Sequence, residues 1–179
     1  MEIFHVDAFA SRPFEGNPAG VCLLENEPDR LWMQSIAGEL NLSETAFCWP
    51  EPTGWQIRYF TPVSEIPLCG HATLSAVYCL NLAGKIPQNE VVLLYSLAGI
   101  LSAWVEDDGV VLDFPQFRLI PAAIPTLLET SLNMPVKEFY QTEQNWCVAI
   151  TYSEENILNA TPDFPMLKQI GSGQIIISA

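Results

Sequence analysis

Glu44, His71 and Cys69 are the side chains in this chain best placed by their neighbours to move a proton. Glu44 lies in the run Asn41-Leu42-Ser43-Glu44-Thr45-Ala46-Phe47, where apolar residues follow it directly. Partial desolvation is what makes a carboxyl a usable acid or base near neutral pH. The same position also suits a plain strand-start carboxylate bonded to a nearby turn, and the residues alone leave both readings open. His71 lies in Leu68-Cys69-Gly70-His71-Ala72-Thr73. It could share a proton with Glu44 or orient a substrate, and it could equally cap a helix. Cys69 and His71 suggest a Cys–His nucleophile, but residues two apart rarely meet in catalytic geometry, so a buried core thiol is expected at 69. A third cluster, Phe14-Glu15-Gly16-Asn17-Pro18, reads as a turn, and His5 as a strand residue.

These residues need elements to hold them. The stretch from Glu65 to Gly84, EIPLCGHATLSAVYCLNLAG, is apolar nearly all round after Gly70 and should form a helix buried within the domain. Gly84 followed by Lys85 is a stop signal. At the other end Gly70 permits close approach to the backbone, and the free N–H groups of the first turn make an anion site. Strands are expected at Ile3–Phe9, Ala19–Leu24, Ser43–Trp49, Trp55–Phe60, Glu90–Tyr95, Gly99–Val105 and Val110–Phe114, with Asp107-Asp108-Gly109 as a hairpin turn. Met33, Ile36, Ala37 and Leu40 have the spacing of a half-buried helix, with Pro28 near its first position and Asn41 at its end. The expected fold class is α+β, strands wrapped around one buried helix and complete by about residue 115. Pro115–Pro125 reads as a linker. Beyond it, helices are expected at Ile124–Leu132, Ser153–Asn159 and Phe164–Ile170, and strands at Asn145–Tyr152 and Gln174–Ser178, a poor core for a second domain.

Composition excludes several partners. A formal net charge of −14 with seven Lys and Arg repels phosphate backbones and anionic surfaces, so nucleic acid and membrane are not expected. The five cysteines show no C-x-x-C pair and no zinc spacing with the two histidines, so no metal is expected. The opening MEIFHVDAF is acidic and reads as a strand and not as a charged and apolar leader. A reduced, soluble, cytoplasmic protein is the expectation.

The segments VDAF and PFEGNPAGVCLL (Val6 to Phe9, Pro13 to Leu24), IAGELNLSETAF (Ile36 to Phe47) and IRYFTPVSEIPLCGHATLSA (Ile57 to Ala76) together resemble the phenazine-biosynthesis PhzF-like isomerases, relatives of diaminopimelate epimerase. The resemblance is dense over residues 1–115. It implies a diaminopimelate epimerase-like fold of two lobes, each a β-barrel-like sheet around a central helix, with residues 1–115 as the N-terminal lobe and 116–179 as a partial second lobe. It further implies that Glu44 and His71 are catalytic, that Gly70, Ala72, Asn17 and Ser43 bind substrate, and that Cys69 takes no thiol role. The implied activity is isomerisation or epimerisation of a small carboxylate-bearing metabolite by proton transfer, without metal or cofactor, in a homodimeric biosynthetic enzyme. Family members carry an Asp-Pro-x-Thr-Gly-Ser-Ala-His segment with a second acidic residue, which has no counterpart here. A second reading is therefore a catalytically incomplete member that binds a small ligand or serves as a scaffold.

Overall fold

A computed structural model describes residues 1–179 except Pro13, Pro115, Gln144, Asn145, Ser172 and Gly173. The expectations that touch Pro13, Pro115 and Asn145 thus fall at those points outside the described residues. The chain forms two compact units, Met1–Pro115 and Gln116–Ala179.

The first unit runs β1 (Glu2–Ala8), β2 (Asn17–Leu23), α1 (Arg30–Leu40), β3 (Glu44–Glu51), β4 (Gly54–Phe60), β5 (Glu65–Ile66), α2 (Gly70–Leu82), β6 (Val92–Ser96), β7 (Gly99–Glu106) and β8 (Gly109–Asp113). Its sheet has the order β1-β2-β3-β4-β6-β7-β8, with β5 added to β4. Two neighbouring pairs are parallel, β2 with β3 and β4 with β6, and each is joined through a helix. The second seam is short, pairing Trp55 with Leu94 and Gln56 with Tyr95. Because β3 and β4 are antiparallel, β2 and β4 point opposite ways while both crossovers step the same way across the sheet. Right-handed crossovers must then put α1 and α2 on opposite faces. The side chains of β3 follow that rule. Ala46 and Cys48 join the core around Ala72, Ala76, Val77 and Leu80 of α2, whereas Phe47 and Trp49 pack with Met33 and Ala37 of α1.

Strands from both ends of the sheet, β1 and β2 on one side and β7 and β8 on the other, touch α2. The sheet therefore curls around this helix, an α+β arrangement. Burial of α2 is less complete than its composition implies. Tyr78 is 49% and Leu82 63% exposed, one helical turn apart, while Ala72, Thr73, Ser75, Ala76, Val77, Cys79 and Leu80 are buried. One stripe of the helix is left uncovered between the terminal strands. Among the described residues no helix is long and apolar enough to cross a membrane.

Several boundaries differ from expectation for local reasons. Pro28 is not in the first turn of α1. Asp29 is the N-cap, its carboxylate accepting from the N–H groups of Leu31 and Trp32, so the helix starts at Arg30. Asn41 ends it in the left-handed region at φ 50°. The turn expected at 14–18 stops at Gly16, because Asn17 and Pro18 already pair with Ala8 and Asp7. β5 is too short to show any alternation in sequence.

The second unit holds β9 (Ile120–Pro121), α3 (Leu128–Leu132), β10 (Glu138–Gln141), β11 (Cys147–Ile150), α4 (Glu154–Leu158), α5 (Phe164–Gln169) and β12 (Ile175–Ser178). The sheet order is β12-β11-β10-β9. Leu128, Leu132, Met134, Val136, Phe139, Cys147 and Ala149 form its core, a better one than the sequence suggested. The expected linker contains β9, which pairs with β10, so it is not a bare connection. α3 starts at Leu128, not Ile124. Ser153 caps α4 as expected, accepting from the Asn156 N–H.

Candidate active site

The parallel pairing of β2 and β3 places Ala19 beside Glu44. Strand starts that would otherwise be far apart thus share one end of the sheet. Pro18 and Ser43 come next to each other, and the Ser43 hydroxyl donates to the Pro18 carbonyl at 3.1 Å. The N-terminus of α2 reaches the same place. His71, its second residue, brings Nε2 to 3.3 Å from Glu44 Oε2 and 3.4 Å from Ser43 Oγ. The side chains of His71 and Glu44 are 11% and 21% exposed, which leaves both reachable yet largely shielded from water.

Two bonds fix the helix end that carries His71. Thr73 donates its hydroxyl to the Cys69 carbonyl at 2.6 Å, and the Thr73 N–H binds the same carbonyl at 3.0 Å. The buried Tyr59 hydroxyl lies 2.6 Å from Thr73 Oγ1. Since the only hydroxyl proton of Thr73 goes to Cys69, Tyr59 is the donor in that contact. β4 thereby pins the first turn of α2 from below.

Cys69 is the N-cap residue, at φ −148° and ψ 115°, and no side-chain cap bond of good geometry closes the turn. Its Sγ lies 3.4 Å from His71 Nδ1. Burial pushes this thiol up to about 11; the Ala72 N–H pulls the other way, and the Glu44 carboxylate adds to the rise. The thiol is thus kept protonated at neutral pH, and a hydrolytic Cys–His nucleophile has no support here.

The expected residues distribute unevenly. Ser43, Glu44, Gly70 and His71 come together at one helix end. Ala72 is fully buried and its methyl packs in the core, so only its backbone N–H can face a ligand. Asn17 opens β2 near this end, but among the described residues no hydrogen bond joins its side chain to the group. Cys69, expected to be a core thiol, is half-buried against the core around α2, and its sulfur also touches the imidazole. Tyr59 and Thr73 escaped the sequence reading, because nothing in a spacing of fourteen residues across a strand and a helix signals contact.

Among the described residues Glu44, Cys69 and His71 form one group whose ligand atoms all lie within 4.8 Å of one another. Sγ faces Nδ1 and the carboxylate faces Nε2, on different edges of the ring. The ring as placed offers one nitrogen and not both to an ion, and hydrogen bonding accounts for the two contacts.

Comparisons with known proteins bear on the fold and the family of the chain. An uncharacterized isomerase of Halalkalibacterium halodurans is 36% identical over 178 residues, which cover 99% of this chain and 67% of that protein. A human phenazine biosynthesis-like domain-containing protein is 45% identical over 129 residues, 68% of this chain and 44% of the relative. The crystal structure of a PhzF family phenazine biosynthesis protein of Enterococcus faecalis superposes with a TM-score of 0.87 at 36% identity, covering 98% of this chain and 66% of that one. A probable proline racemase of Agrobacterium radiobacter shares the fold at a TM-score of 0.53 and 14% identity. The chain thus spans about two thirds of the length of its bacterial relatives. The family model for phenazine biosynthesis-like proteins, PhzC-PhzF, matches residues 6–179, and the chain belongs to that family.

Proposed function

We propose that this chain works in the isomerisation or epimerisation of a small carboxylate-bearing metabolite, with Glu44 as the group that moves the proton. The observation that carries this reading is the Glu44–His71 contact of 3.3 Å at the open N-terminus of α2. Taking a proton from carbon next to a carboxylate builds negative charge on that carboxylate. The N–H groups of Gly70, His71 and Ala72 find no carbonyl partner within the helix, those of His71 and Ala72 meeting only the Cys69 sulfur, and such groups stabilise an oxyanion. They suit a protein with few cationic side chains. Glu44 stands beside them, shielded enough to act as an acid or base. His71 orients the carboxylate from its other side.

Incubation with small amino and cyclic carboxylic acids in D2O, followed by NMR, reads proton exchange at carbon directly. Glu44→Gln should cut that exchange by about 10²–10⁴-fold, and unaltered exchange in this variant on a confirmed substrate would falsify the assignment. A second reading, binding without turnover, draws on the open N-terminus of α2, whose N–H groups can hold a carboxylate whether or not a proton moves. A carboxylate that binds and protects the α2 N-terminus, with no exchange at carbon in the wild-type chain, selects it.

A further inference from the structure

We infer that Cys69 is a positioning residue: its thiol holds His71 as the neutral tautomer with the hydrogen on Nε2, so that Glu44 meets the substrate as a proton acceptor. The catalytic consequence rests on the function proposed above, whereas the tautomer itself does not. Two independent sets of contacts lead to it. On the Nε2 side both neighbours can only accept. Ser43 has one proton, and a carbonyl can do nothing but accept, so the 3.1 Å bond to the Pro18 oxygen uses that proton. The remaining capacity of Ser43 Oγ, 3.4 Å from Nε2, is as an acceptor. Glu44 Oε2 at 3.3 Å is a carboxylate oxygen and also an acceptor. One N–H shared between them satisfies both.

On the Nδ1 side the partner is Cys69 Sγ at 3.4 Å. A protonated thiol is weak both as donor and as acceptor. Its sulfur already meets the Ala72 N–H, so what it has left to give Nδ1 is its hydrogen, for which the Glu44 carboxylate competes. The thiol suits a bare Nδ1 and offers little to an Nδ1–H. A carboxylate or carbonyl in place of the thiol would reverse the preference. Sulfur at this position therefore determines which group at the site starts without a proton. The imidazole donates, the carboxylate accepts, and the first transfer from substrate carbon goes to Glu44.

Long-range proton–nitrogen NMR on ¹⁵N-histidine-labelled full chain reads the tautomer without substrate, and His5→Gln assigns the other ring. At neutral pH the wild-type His71 should show a single pattern with hydrogen on Nε2. Cys69→Ala should lose that single pattern. Cys69→Ser, whose hydroxyl can still donate and which is a good N-cap, should keep it. Cys69→Asp, also a good N-cap, should move the hydrogen to Nδ1. On a confirmed substrate Cys69→Ala should lower turnover by about tenfold, part of the far larger loss seen when an imidazole loses a charged orienting partner, and Cys69→Ser should restore it. Hydrogen on Nδ1 in the wild type, or an unchanged pattern in both Cys69→Ala and Cys69→Asp, overturns the inference. Loss of the Glu44→Gln effect on exchange would overturn the proposed function and leave the tautomer result standing.

Discussion

Tyr59 and Thr73 allow a sharp test of how the site end of α2 is held. The two hydroxyls are 2.6 Å apart, both residues are fully buried, and the Thr73 proton is committed to the Cys69 carbonyl. Burial raises the Tyr59 hydroxyl well above the usual phenol range, so it remains a donor at alkaline pH. The two halves of the contact are not equivalent. Tyr59→Phe removes the donor and leaves Thr73 with a spare lone pair while its own bond persists. The expected loss is about 1 kcal/mol, roughly fivefold in the unfolding equilibrium. Thr73→Val removes the acceptor and strands a buried O–H donor, besides deleting one bond to Cys69. An orphaned buried polar group costs ~1–3 kcal/mol, so this variant should lose about 2–3 kcal/mol. In the double variant no orphan remains, and the combined loss should fall short of the sum by about 1 kcal/mol or more. Urea unfolding followed by the fluorescence of Trp32, Trp49, Trp55 and Trp104 in the first unit, beside far-UV circular dichroism, measures all three. Equal losses for the two single variants, or strict additivity in the double, would refute the assignment of donor and acceptor.

Other perturbations read other parts of the chain. Among the described residues Thr45 Oγ1 is buried without a hydrogen-bond partner, facing Gly20. Thr45→Val keeps the shape, removes the stranded hydroxyl and should stabilise the protein by about 1 kcal/mol in the same urea assay; destabilisation would mean that the hydroxyl is satisfied. Arg58, and with it Arg30, holds the Glu65 carboxyl below the ordinary carboxylate range. A depressed folded-state pKa contributes stability above the unfolded value near ~4.3 that disappears as pH falls through the folded one. Glu65→Gln should therefore flatten the acid limb of a stability–pH profile, and an unchanged limb would remove this pair from the balance. Burial raises the thiols of Cys22 and Cys79 to about 12 and that of Cys48 further still. A disulfide reagent at mildly alkaline pH should modify these three slowly in the native protein and quickly in urea, and rapid native labelling would contradict their burial.

How much was legible in the sequence varies with the physics of each element. α2 was plain because a long apolar run ending at a left-handed glycine has few other solutions, and Gly84 does adopt φ 67°. Its exposed stripe was hidden, since Tyr78 and Leu82 are apolar by type whichever way they face. Glu44 and His71 were recognisable as partners from their clusters, yet their meeting depends on the β2–β3 register, a long-range fact. The contact of Cys69 with His71 was not read, because spacing arguments assume regular backbone. The N-cap is extended, so its side chain does not follow the helical sequence of directions and swings back onto the ring two residues on. β5, β9 and β10 were unread because four residues or fewer carry little alternation of their own, whereas the equally short β11 and β12 show as unbroken apolar runs.

The short seam between β4 and β6 has a kinetic consequence. Hairpins can assemble β3 with β4, and β6 with β7 and β8, from contacts close in sequence. The seam itself joins Trp55 to Leu94 across the whole of α2, and its two residue pairs return little against the entropy of closing so long a loop. What compensates is the shared core, in which Val77 and Leu80 of the helix meet Val21 and Ile57 on one half-sheet and Leu101 and Ala103 on the other. The late, slow event expected in folding the first unit is then the docking of the β6–β8 half-sheet onto the helix, whereas the active-site turn at Gly70–His71 takes its site contacts from β3 and β4 and does not wait for that seam.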